Sequence, residues 1–157
     1  MASFKGFAPL QQPSDLVAKL IHDLGRIKAA PDDPYAAFDF FVTAEHIIDW
    51  MFPDSPGIDQ TAVRKAMRAS SDLLKITSHL ASGAKHFQAL AKQHDSVADI
   101  KQQSGGFDPR AFSPRAFSPA AFKSHGLNVH MESGRIVHVL PLAEDVLGYW
   151  QTEFAKP

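Results

Sequence analysis

Residues 73–87 read LLKITSHLASGAKHF, and the fold turns on how they are taken. Leu73, Leu74, Thr77, Leu80, Ala81, Ala84 and Phe87 recur at helical spacing, extended backwards by Val63, Ala66 and Met67 and forwards by Ala91. That spacing predicts a helix with one buried stripe. Beside the stripe runs a second row, Ile76, His79, Gly83, His86 and Leu90. His79 and His86 are about two turns apart, so both imidazoles point the same way, with Lys75 one turn before the first.

No proline interrupts the chain from Asp59 to His94. If continuous, the helix would run roughly 35 residues, or about 50 Å. Ser70-Ser71-Asp72 offers a fresh N-cap at which it would bend or break. Upstream, Pro53, Asp54, Ser55, Pro56 and Gly57 mark a clear break. Before that break lies YAAFDFFVTAEHIIDWMF, apolar nearly all round, opened by Asp32, Asp33 and Pro34. Such a helix belongs at the centre of a bundle, so Asp39, Thr43, Glu45, His46 and Asp49 need partners there. A first helix starts at Ser14, buries Leu16, Leu20, Leu24 and Ile27, and stops near Ala30.

The remaining segments are not helical in pattern until the end. Residues 1–13, with Phe4 and Phe7, read as an extended arm. Residues 95–106 are polar and end in Ser104-Gly105-Gly106, a linker signal. FDPRA, FSPRA and FSPAA then repeat with Phe107, Phe112, Phe117 and Phe122 in a five-residue period. Proline in every unit excludes regular helix, and the phenylalanines predict an extended strap laid along an apolar groove. LNVHM and IVHVL around ESGR predict a hairpin with Gly134 in the turn. PLAEDVLGYWQTEF closes the chain as a helix with apolar rows Leu142, Val146, Tyr149 and Leu147, Trp150, Phe154.

Composition narrows the function classes. The chain has 157 residues and a net charge of -1, enough for one domain and without a general pull towards nucleic acid or anionic membrane. Cysteine is absent, which excludes disulfides, thiol catalysis and thiolate metal sites. No apolar run is long enough for a signal peptide core or a membrane span, so a soluble cytoplasmic protein is expected. Neither a glycine-rich phosphate loop nor a dinucleotide fingerprint occurs, so no nucleotide or other cofactor is expected.

AAFDFFVTAEHIIDW at 36–50, together with the Lys85-His86 ending of a later helix, resembles the HEPN superfamily over about residues 31–93. These are small helical bundles of toxin–antitoxin and antiviral systems, and several members are metal-independent ribonucleases. The family signature is an arginine, often followed by a polar residue, with histidine after four to six intervening positions. The match sets His86 at the histidine, Lys85 before it and Ser82 at the polar position. It departs at the arginine, where His79, Leu80 and Ala81 stand. The resemblance therefore implies a non-catalytic interaction or RNA-associated module of a bacterial defence or toxin–antitoxin system. Its catalytic alternative is a ribonuclease in which His86 moves the proton of a ribose 2′-hydroxyl, with His79, Lys85 or Lys75 facing the phosphate. Lysine supplies a point charge there and not the two-pronged contact of arginine.

Three other readings stand beside these. His46 and Asp49, with Asp39, Glu45, His79 and His86, supply metal ligands in number but in no recognised motif, and no native metal is expected. Glu45, His46 or Asp49 paired with Lys75, Lys85 or a histidine would instead be a buried network fixing helix register. Phe112, Arg115 and Phe117 of the repeat suit protein docking, as in an assembly protein, or stacking on single-stranded nucleic acid.

The expected fold is thus mainly α. It comprises an arm (1–13), a helical bundle (14–94), a linker and Phe/Pro strap (95–125), and a hairpin with closing helix (126–157). A homodimer is expected, since the amphipathic helix, the strap and the hairpin each leave surface that a second copy would cover.

Overall fold

The computed structural model describes residues 6–86, 96–103, 106–107, 122–123 and 125–157. Helix α1 spans Asp15–Ala29 and buries Leu16, Leu20, Leu24 and Ile27, as their spacing predicts. Its start is held differently from the expected serine cap. The carboxylate of Asp15 accepts the amides of Gln11 at 2.8 Å and Gln12 at 3.1 Å, which keep its carboxyl below the usual range, while the Ser14 side chain makes no cap bond. Of the predicted arm, Phe7 and Leu10 close a tight turn through paired backbone bonds of 2.7 and 2.9 Å.

Helix α2, Pro34–Met51, begins where the acid-proline signal sets it: Asp33 Oδ1 accepts the Tyr35 amide at 2.8 Å. Phe40, Ala44, Ile47 and Ile48 are buried, and α2 packs on α1 and on the three helices that follow, at the centre of the bundle. Full burial of a side chain such as Phe40 is worth roughly 1.5–3 kcal/mol, and this helix carries several.

The helix foreseen from Asp59 to His94 is broken. Helix α3 covers Thr61–Ala69 and α4 covers Asp72–His86. Between them the Ser70 hydroxyl donates to Met67 O at 2.7 Å, and Ser71 Oγ accepts the Leu74 amide at 3.2 Å, so one serine closes a helix and the next caps another. The break takes α3 out of the stripe: Val63 and Ala66 are exposed, whereas Leu74, Thr77, Leu80 and Ala81 are buried. Positions 87–94 lie outside the described residues.

The polar stretch read as a linker forms a strand instead. Strand β1, Val97–Gln103, pairs antiparallel with β4, Gly126–Met131, and β4 pairs with β5, Ile136–His138. Two short strands, β2 (Gly106–Phe107) and β3 (Phe122–Lys123), also pair, setting Phe107 opposite Phe122. The expected hairpin is present, with Gly134 at φ 82 in its turn, but its second strand stops at His138. Val139 begins α5, Val139–Ala155, without an intervening loop. Pro141 falls in its first turn, where a missing amide costs nothing.

Leu127, Val129 and Met131 turn one face of β4 to the helices and share a core with Leu20, Ile27, Phe40, Ile47, Leu74, Val146 and Trp150. The chain is therefore mainly helical, with a small antiparallel sheet and a C-terminal helix. The strap, including Phe112, Arg115 and Phe117, lies outside the described residues. No described helix is long and apolar enough to cross a membrane.

Candidate functional site

Helix α4 buries a run of polar side chains. Thr77, Ser78 and His79 follow one another and all are buried. Each turns to a different neighbour, because successive residues on a helix are about 100° apart. Thr77 bonds back to Leu73 O at 2.9 Å. Ser78 faces α2, its hydroxyl 3.5 Å from Glu45 Oε1. His79, 8% exposed, faces the sheet.

The imidazole of His79 ties α4 to the start of β1. Its Nδ1 accepts the Val97 amide at 3.0 Å and lies 3.5 Å from Ser96 Oγ. An Nδ1 that accepts from an amide cannot itself carry a proton, which sets the ring neutral with hydrogen on Nε2. Of the other residues singled out on this helix, Lys75 is exposed and paired with Asp72 at 3.1 Å, and Ser82 is half-buried. Lys85 and His86 occupy the last two helical positions, and their side chains lie outside the described residues.

A second polar seam joins α2 to α3. Arg68 donates through Nε to Glu45 Oε1 and through its terminal nitrogen to Asp49 Oδ1 at 2.7 Å. Arg64 reaches Phe52 O and Asp54 Oδ2, both at 2.8 Å, with Asp49 at 3.8 Å. The Glu45 side chain is 15% exposed, and its Oε2 is buried with no hydrogen-bond partner among the described residues. Burial pushes the Glu45 carboxyl above its ordinary range, against the lowering pull of Arg68.

Glu45 and Asp49 thus find partners, as their place in an apolar helix requires, but the partners are Arg64 and Arg68 and not the expected Lys75, Lys85 or a histidine. A signal for this exists in the chain: two acids at i, i+4 on α2 and two arginines at i, i+4 on the next helix match in spacing. Asp39 pairs with Arg26 of α1, and Thr43 Oγ1 lies 3.5 Å from Asp23 Oδ2. Asp23, 1% exposed, also meets Lys19 and His22. His46 is exposed.

The arrangement does not assemble the metal reading: among the described residues no three metal-binding side chains converge. Chemically, a histidine accepting a backbone amide and arginines clamped by carboxylates are suited to fixing helices in place. None of the family models, curated proteins or solved structures compared with the chain matches it.

Proposed function

We propose that the chain is a cytoplasmic HEPN-like helical bundle that works by binding, an interaction or RNA-associated module of a bacterial defence or toxin–antitoxin system, acting as a homodimer and without catalysis. The observation that supports binding over cleavage is the state of His79. A phosphate-facing group must reach the substrate, whereas this imidazole is buried and its Nδ1 is committed to the Val97 amide, holding α4 to β1. The described arginines nearest α4 are likewise engaged by Glu45, Asp49 and Asp54. The defence context and the superfamily come from the resemblance of residues 31–93.

A second reading, assembly through the Phe/Pro repeat, draws on the pairing of β2 with β3. Phe107 and Phe122, the first and last phenylalanines of the repeat, are cross-strand neighbours, so the two ends of the repeat are held side by side.

The test is incubation of the purified protein with total RNA in the presence of a chelator, comparing wild type with His86→Ala and His79→Ala, alongside retention of labelled RNA on the protein. No cleavage by any of the three is expected, with binding unchanged in His86→Ala. Chelator-resistant cleavage that disappears in His86→Ala would replace this reading with the ribonuclease.

A further inference from the structure

Strand β1 is an edge of the three-stranded sheet, whose order is β1-β4-β5. From Ala98 to Gln102 every residue of it is exposed. The amide of Ile100 is held at 2.8 Å by the carboxylate of Asp99 and not by β4, so it points off the open edge. By the alternation of an antiparallel ladder, the polar backbone groups of Ile100 and Gln102 face outwards together.

Side chains alternate too. Ile100 is opposite Val129 on the face turned to the helices, yet it is 46% exposed. Asp99 and Lys101 flank it on the other face, where Lys101 Nζ lies 3.5 Å from Asp99 Oδ2.

We infer that this edge pairs with the same edge of a second copy, antiparallel about a two-fold axis at Ile100. In that register Ile100 meets Ile100, and each Asp99 stands directly opposite the other copy's Lys101. Moving the axis one residue towards the C-terminus sets lysine against lysine, and one residue the other way sets aspartate against aspartate. Like charges directly opposite destabilise a ladder, so the charges favour this register over both of its neighbours. The outward amides and carbonyls of Ile100 then bond each other, and Asp99 gives up the Ile100 amide for the facing ammonium.

The pairing joins two sheets of three strands into one of six and leaves neither β1 edge open, which closes the assembly at two. The irregularity between Val97 and Asp99 ends the ladder on one side. So short an edge buries less than the roughly 1,200–2,000 Å² of a standard interface, and the dimer is correspondingly weak. The inference rests on the homodimer reading and adds its interface.

The experiment is sedimentation of the full chain at concentrations up to about 1 mM, for wild type, Asp99→Lys, Lys101→Asp and the double exchange. Each single exchange replaces two attractive cross-strand pairs by two repulsive ones and should weaken the dimer by about tenfold or more. The double exchange restores opposite signs and should restore the dimer. Independently, Ile100→Cys supplies the sole thiol of the chain. Paired positions of this kind lie about 5.5 Å apart, within the roughly 4.4–6.8 Å that a disulfide spans. Mild oxidation should therefore cross-link Ile100→Cys and leave Ile136→Cys on the far strand uncoupled. A dimer indifferent to the charge exchanges, or equal cross-linking at Ile136→Cys, overturns the interface alone. A wild type that stays monomeric throughout overturns the homodimer reading with it.

Discussion

Replacing Arg68 by methionine isolates what holds α3 to α2. The substitution keeps an unbranched apolar stem and removes the guanidinium from Glu45 and Asp49. Among the described residues Asp49 then retains Arg64 at 3.8 Å, but Glu45 keeps only the Ser78 hydroxyl at 3.5 Å, with Oε2 already buried and unpaired. Stranding one member of a buried ion pair costs about 3–5 kcal/mol. The side chains of Arg68 and Glu45 are 22% and 15% exposed, which places this case at about 3 kcal/mol, the lower end of that range.

Glu45 has an escape that makes the loss depend on pH. Burial holds its folded pKa above the ordinary value, and removing Arg68 removes a lowering influence, so the pKa rises further. A carboxyl raised in the folded state contributes stability that is fully present below its unfolded pKa and is lost as pH rises through its folded pKa. The penalty of Arg68→Met should therefore be small, about 1 kcal/mol, near pH 5 and should grow towards pH 8 by at most about 1.4 kcal/mol per pH unit. Urea unfolding followed by tryptophan fluorescence is suitable, since Trp150 is fully buried. Combining the change with Glu45→Gln should abolish the pH dependence. An equal loss at both ends of the pH range, or a pH dependence that survives in the Glu45→Gln background, would refute a buried carboxylate stranded by the substitution.

Three further outcomes follow from other parts of the fold. Trp150 is fully buried with Nε1 unpaired among the described residues, so Trp150→Phe should cost well under the roughly 3–5 kcal/mol of Trp150→Ala, both read by thermal unfolding. Asp33→Ala removes the acceptor of the Tyr35 amide and should lower stability by about 1 kcal/mol in denaturant, with Asp33→Asn recovering most of it. His79→Ala leaves the Val97 amide without its acceptor and should cost about 1–3 kcal/mol, with faster hydrogen exchange at Val97 and unchanged exchange in α1.

The parts legible from sequence are those whose signals are local. The acid-proline start of α2 and the apolar row of α1 act within a turn or two of themselves, and both elements appear where expected. Ser70-Ser71 was equally local, marking the place where α3 ends and α4 begins. Strand β1 was not legible, because VADIKQQ alternates no apolar face: its only large apolar residues are Val97 and Ile100, and it is a strand because β4 pairs with it. IVHVL overran for the opposite reason. Its β-branched residues favour a strand, yet Val139 is buried as the first residue of a helix. At the polar seam the need for partners around Glu45 was visible while their identity was not, since several cations stood within plausible reach and only the break before α4 decides which helix presents Arg68.

Strand β5 and helix α5 meet without a spare residue, His138 closing the strand and standing as the N-cap of the helix. Three paired residues are too few to defend their own alignment against a slip. Here a slip by one residue would invert which side chains face the bundle, and with no loop to absorb the slack it would also turn α5 by about 100° about its axis. Val146 and Trp150 would then leave the core that holds them. The helix serves as the lock on the strand's alignment: an error that would be cheap in a short free hairpin must here be committed by seventeen residues at once.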